Sequence, residues 1–183
     1  MRTRIPQERV GVVIGQDGSI KTQIEKNTQT QLEIDSTTGE VIIENVEGSD
    51  DPSGAWTASN IIKAIGRGFN PRKAMRLLDE DLYLEIIDLS SYVGTSKKAL
   101  LRIRGRIIGK DGKTRRIIEE STDTHLSVYG KTISIIGYLE ELRVAREAVS
   151  MLISGMAHSP VYTYLQSQKR RLKRAKYDEW TPL

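Results

Sequence analysis

Two short segments of this 183-residue chain have the residue types and spacing to hold a phosphate: Gly15-Gln16-Asp17-Gly18 and Gly109-Lys110-Asp111-Gly112. In each, the first glycine permits a sharp turn, and both glycines leave the backbone unshielded, so an anion can approach the amides. A helix beginning there would add unpaired N–H groups and the positive end of its dipole. Bases attached to that phosphate would lie against aliphatic side chains of the flanking elements. Around the second loop these are Ile107, Ile108, Leu126 and Val128; around the first they are Val13, Ile14, Leu32 and Ile34. Such a groove admits unpaired bases and rejects a duplex.

The two loops differ in charge. The second carries Lys110 inside it and Lys113 just beyond, with Arg104, Arg106, Arg115 and Arg116 nearby. The first offers Gln16 and Asp17, and its nearest downstream cation is Lys21. Contacts from Lys and Arg to phosphate dominate affinity for a polyanion. The second loop is therefore expected to be the main grip and the first a weaker site. Asp17 and Asp111 are expected to cap the helix that follows rather than touch a ligand. The wider charge agrees: residues 1–80 carry 10 Lys/Arg against 12 Asp/Glu, and residues 81–183 carry 18 against 12.

The elements that position the loops emerge from an internal repeat. Residues 11–35 align without gaps to residues 105–129, with ten of 25 positions identical. Two copies of one unit imply two similar domains rather than a solenoid. In the second copy, Leu82–Asp88 reads as a strand and Ser96–Ile108 as a helix with Leu100, Ile103 and Ile107 on one face. A second helix runs to about Ser121, burying Ile117 and Ile118. His125–Tyr129 and Thr132–Ile136 form a hairpin about Gly130-Lys131, and a helix from about Leu139 buries Leu142, Ala145, Val149 and Leu152. The first copy repeats the order. A strand lies near Arg2–Ile5, helices cover Gln7–Ile14 and the stretch to about Asn27, and a hairpin turns at Thr38-Gly39. Asp51-Pro52 is expected to start a helix, Asp51 as N-cap, with Trp56, Ile61, Ile62 and Ile65 buried. A short helix from Asn70-Pro71 through Leu78 connects the copies, placing domains at 1–80 and 81–168 with a basic extension over 169–183.

The stretches Val10–Gly18 and Ile107–Gly112 resemble the KH family, in the type whose hairpin follows the Gly-x-x-Gly helices. The resemblance covers nearly the whole chain. It implies an α+β fold of two tandem type I KH domains, each a three-stranded sheet packed against three helices, binding single-stranded RNA. Gly66-Arg67-Gly68-Phe69-Asn70-Pro71, with Ala74, Leu77-Leu78 and Ser159-Pro160-Val161-Tyr162, is similar to the archaeal member of the Partner-of-Nob family of small-subunit ribosome assembly factors. That resemblance implies binding near the 3′ end of small-subunit ribosomal RNA, partnership with the Nob endonuclease, and contact with the alpha subunit of translation initiation factor two. No cofactor or metal is expected.

Other readings are weaker. A transcription-associated KH protein would place its strands before the loop helices, and an RNA-decay accessory factor has no separate signal here. Gly112-Lys113-Thr114 imitates the tail of a nucleotide-binding loop. That motif needs glycine where Ile107 stands, and a strand rather than a helix before it. A nucleotide-hydrolysing enzyme is thus the remote alternative. His125 and His158 lie 33 residues apart with no ligand spacing, and the acidic residues are scattered. The chain has no cysteine and no apolar run of bilayer length, and its start lacks a signal-peptide core, which fits a cytoplasmic protein. Lys169–Lys176 holds six basic residues in eight, suiting either a helical phosphate-binding extension or a solvated, frayed tail. Beyond it, Tyr177 and Trp180 could stack on a base or dock on the protein. Trp56 and Phe69 are expected to be packing residues.

Overall fold

The computed structural model describes the backbone of residues 1–179 and side chains through residue 176, so Trp180 and the side chain of Tyr177 lie outside the described residues. Met1–Leu84 and Glu85–Leu183 form two compact units. The first runs β1 (Arg2–Arg4), α1 (Gln7–Ile14), α2 (Ser19–Thr28), β2 (Thr30–Ile34), β3 (Glu40–Asn45), α3 (Gly54–Gly66) and α4 (Pro71–Ala74), closing with a 3₁₀ turn over Met75–Leu78. The second sheet begins with β4 (Leu82–Asp88). Then come α5 (Ser90–Val93), α6 (Lys97–Ile108), α7 (Lys113–Thr122), β5 (His125–Tyr129), β6 (Thr132–Tyr138), α8 (Leu139–Ile153) and α9 (His158–Glu179). The sheets have the orders β1-β3-β2 and β4-β6-β5, so the strand-helix-helix-strand-strand-helix order expected of each copy is present. Among the described residues, no helix is long and apolar enough to cross a membrane.

Each core forms where the period-two face of a sheet meets helical stripes. In the first unit Leu32 pairs with Ile43 and Ile34 with Val41, and Val13, Ile24, Ile61, Ile62 and Ile65 close over that face, all buried. In the second, Leu126 pairs with Ile135 and Val128 with Ile133, under Ile107, Ile118, Val149 and Leu152. The last helix, α9, adds Val161, Leu165 and Leu172 to this core. Burying one such aliphatic side chain stabilises by about 1.5–3 kcal/mol, so α9 is a docked helix rather than a frayed tail. Residue 169, the expected start of an extension, lies inside α9 with no break there.

Five of the ten residues shared by the two copies build one junction, between the second helix and the following strand. Thr28 Oγ1 donates to Ile24 O and pairs with Thr30 Oγ1 at 2.8 Å; Thr122 does the same with Ile118 O and Thr124. Glu25 Oε1 accepts the Leu32 amide at 2.8 Å, and Glu119 Oε1 accepts the Leu126 amide at the same distance. A left-handed residue, Gln29 or Asp123, ends each helix. The carboxylate satisfies a strand amide that has no ladder partner at that edge.

Two expectations about α3 are corrected. The helix starts at Gly54 with Ser53 as N-cap, because Asp51 spends its carboxylate on a turn, accepting from the Ser53 amide at 2.8 Å and hydroxyl at 2.6 Å. Trp56 is 56 % exposed. It sits about half a turn from the stripe of Ala58, Ile61, Ile62 and Ile65 that faces the core. Phe69 is buried as expected, at 2 % exposure. Ile117 is only partly buried against the core that encloses Ile118.

Glu119→Ala is expected to destabilise the protein by about 1–2 kcal/mol, since a partly buried amide loses its acceptor, whereas exposed Glu120→Ala should stay within about 0.5 kcal/mol; urea unfolding measures both. On α9, Lys176 reaches buried Glu141 at 2.8 Å and Asp123 at 3.8 Å. The hydrogen bond to Glu141 raises the Lys176 pKa above its usual value, against the opposing effect of burial, with the Glu141 and Asp123 charges adding to the rise. Its stabilisation is complete below the unfolded pKa of about 10.4 and is lost as pH rises through the higher folded value. Lys176→Met should cost about 1 kcal/mol at neutral pH, reduced by the exposure of the ammonium. The difference from wild type should shrink in alkaline melts.

Candidate nucleic-acid interface

The backbone of each loop is set by its first glycine. Gly109 caps α6, donating to Gly105 O at 2.8 Å, and adopts φ 72°, ψ 174°, a region open essentially to glycine alone. A Cβ there would stand 2.3 Å from Thr114 Oγ1 and 2.7 Å from the Thr114 amide nitrogen. At Gly15 the same atom would meet Ile20 Cγ1 at 2.4 Å and its nitrogen at 2.8 Å. The second glycines, Gly18 and Gly112, are left-handed but have open space at the Cβ position. They are the N-cap residues of α2 and α7, and neither helix start has a side-chain cap. First-turn amides without a side-chain acceptor are what an anion requires.

Asp17 and Asp111 therefore do not cap these helices, contrary to expectation. Their φ, ψ values, 52°, 28° and 54°, 29°, are left-handed, and the glycine after each holds the cap position. Aspartate tolerates this conformation better than most residues with a Cβ. That backbone demand, rather than capping, accounts for its place in both loops.

The cations of the second loop divide into free and committed groups. Lys110 and Lys113 are exposed and unpaired among the described residues, whereas exposed Arg116 donates from Nη2 to Asp111 O at 3.4 Å. Arg115 is paired with Glu119 at 3.9 Å. Arg106, expected to face RNA, instead donates from Nε to Leu152 O at 3.2 Å and from Nη2 to Met156 O. It ties α6 to the end of α8, so only its charge reaches the site. Arg104 is half-buried, and its Nε is buried without an acceptor among the described residues.

The aliphatic groove is also redrawn. Ile107, Leu126, Val13 and Leu32 are at most 3 % exposed, because they lie on the core faces of their elements. They form a floor and offer no surface. Half-buried Ile108 and Val128, with Ile14 and Ile34 in the first unit, are the members that keep exposed surface. Leu101, 65 % exposed, shares a face of α6 with Arg104 and Ile108 through their i, i+3, i+7 spacing. The sequence reading missed it, although that spacing was visible.

A cleft of about 440 Å³ flanks the second loop, lined among others by Arg102, Lys110, Lys113, Thr114, His158 and Tyr162. The last two come from α9: Tyr162 Oη and Thr114 Oγ1 share a hydrogen bond of 2.7 Å, and His158 Nε2 donates to Arg106 O at 2.9 Å. Neither residue was singled out for this role. The first unit has Ile20 where Thr114 stands, and its nearest downstream cation, Lys21, is paired with Glu25 at 3.9 Å, as Arg115 is with Glu119, and lines a cleft with Glu33 and Glu44. No group of three or more His, Asp or Glu placed to hold a metal occurs among the described residues.

Gly109→Ala should cost more than 2 kcal/mol, from a forbidden backbone region and a clash with Thr114. Gly112→Ala, with space for the methyl, should cost about 1 kcal/mol. Paired denaturant melts would distinguish the two.

Comparison with known proteins places the chain among KH-domain proteins. The model of the second KH domain of PNO1, a eukaryotic-type KH domain (KH-domain type I), matches residues 83–170. A KH domain-containing protein of Methanocaldococcus jannaschii is 43% identical over 177 residues, 97% of this chain and 77% of that protein. The pre-rRNA-processing protein PNO1 of Saccharomyces cerevisiae is 35% identical over 130 residues, 70% of this chain but only 47% of that longer protein. A chain in the crystal structure of the a/eIF2alpha–aDim2p–rRNA complex of Pyrococcus horikoshii superposes with a TM-score of 0.88 at 46% identity, covering 93% of this chain and 94% of that one. The chain belongs to the PNO1/Dim2 family of KH-domain proteins.

Proposed function

We propose that this chain binds single-stranded RNA as a small-subunit ribosome assembly factor, with the second unit as the main grip. The observation that carries the reading is the second loop itself. It combines an uncapped helix start, a first glycine with no room for a side chain, and exposed Lys110 and Lys113 beside half-buried Ile108 and Val128. Phosphate meets the amides and cations, and bases lie on the aliphatic strip. The names of the relatives support the ligand class, since one is a pre-rRNA-processing protein and another was crystallised with rRNA and a/eIF2alpha. Binding near the 3′ end of small-subunit ribosomal RNA, alongside the Nob endonuclease and the alpha subunit of translation initiation factor two, is the target this reading selects. Binding rather than catalysis is the role, as Gly112-Lys113-Thr114 follows helix α6 and not the strand that a nucleotide-hydrolysing loop needs.

Fluorescence anisotropy with three RNAs tests this: a strand copying the ribosomal 3′ end, a scrambled strand and a duplex. The 3′-end strand should bind best and the duplex worst; equal binding to all three would sink the proposal. Lys110→Asp should weaken binding at least tenfold and lower the salt slope by about 0.7 for the lost phosphate contact. Asp111→Asn should strengthen binding without changing the melting temperature, because asparagine also accepts the left-handed conformation.

A further inference from the structure

The cleft beside the second loop lies on a different side of α6 from the strip that takes the bases. Arg102, Gly105, Arg106 and Gly109 follow one another at i, i+3, i+4 and i+7, forming a single stripe. The Leu101–Arg104–Ile108 face is about a third of a turn away. The opposite wall of the cleft is α9, with His158 and Tyr162, an element that no residue of the first unit duplicates.

We propose that this cleft seats a phosphate group of the bound RNA, which makes α9 part of the RNA-binding surface of the second unit. The inference rests on the RNA-binding reading of that unit. Its lining includes Arg102, Arg106, Lys110 and Lys113 and no carboxylate, whereas the cleft along the first sheet holds Glu33 and Glu44 beside Lys21. Four cations about one concave space repel each other, and an anion between them removes that cost. Arg102, Lys110 and Lys113 are exposed, and none of their side chains makes a hydrogen bond or ion pair among the described residues. The Thr114–Tyr162 pair adds a neutral donor. Two hydroxyls sharing one hydrogen bond use one hydrogen between them, so the other is left for a further acceptor. Thr114 is 2 % exposed, so the available hydrogen is that of half-buried Tyr162, on the cleft wall. His158, fixed by its bond to Arg106 O and tilted against the Tyr162 ring at 6.0 Å, sets the orientation of that phenol.

The test is fluorescence anisotropy of the full chain with the 3′-end strand over a series of KCl concentrations, using Arg102→Gln, Tyr162→Phe and, as a control on the same helix, Lys97→Gln. Arg102→Gln should weaken binding about fivefold and reduce the salt slope by about 0.7, the share of one phosphate. Tyr162→Phe should weaken binding about threefold with the slope unchanged, and Lys97→Gln should bind as wild type. Arg102→Gln with wild-type affinity and slope overturns the proposal. Because Arg102 is exposed, that variant decides the matter even if Tyr162→Phe lowers the melting temperature. Strands carrying a 5′-phosphate, a 3′-phosphate or neither distinguish the source. Equal Arg102→Gln losses on all three place an internal phosphodiester in the cleft, and a loss confined to one end-phosphorylated strand places the terminal phosphate there. If Lys110→Asp abolishes binding while Arg102→Gln does not, this inference alone fails. If neither matters, the RNA reading of the unit fails with it.

Discussion

The whole arrangement depends on one backbone constraint, the conformation of the first glycine in each loop. At Gly109 the chain must leave α6 and re-enter a helix within four residues, and the path that does so brings Gly109 so close to Thr114 that no side chain fits between them. This close approach fixes where α7 begins and hence where its uncapped amides stand. It also puts Lys110 in the turn and Lys113 at the first residue of α7, and sets the loop at the end of the Leu101–Ile108 face. Gly15 imposes the same path on the first unit, against Ile20.

Given that shared frame, the two copies differ by chemistry added around it. The junction of Glu, Thr and Thr is identical in both, with matching distances to within 0.1 Å, so much of the internal sequence identity reflects folding rather than ligand contact. The copies separate in charge and polarity at positions that differ: Gln16 against Lys110, Ser19 against Lys113 and Ile20 against Thr114. The second unit also has α9, anchored by Val161 and Leu165, which brings a histidine and a tyrosine to the loop. One fold thus presents a nearly neutral loop in one unit and a cationic cleft in the other.

The architecture was legible in the sequence to a large degree. Strand alternation, helical stripes and paired glycines placed most elements within a residue or two, because local pattern and tertiary burial agree there. The misses share a cause. Asp51 and the two loop aspartates read as caps by residue type, but one serves a turn and the others accept left-handed backbone. Trp56 is grouped by its helical position with Ile61, Ile62 and Ile65, yet its helix presents the opposite face to the core.

The repeat, the element order and the charge difference between the loops are readable before any folding, since they follow from residue type and spacing along one chain. Which side chains are available follows from long-range packing. Ile107 and Leu126 became floor because both sheet and helix claim them, and Arg106 was drawn away by carbonyls some fifty residues along the chain. Tyr162 was brought to Thr114 across 48 residues. Availability depends on what else packs nearby, and long-range packing is not written in any local window.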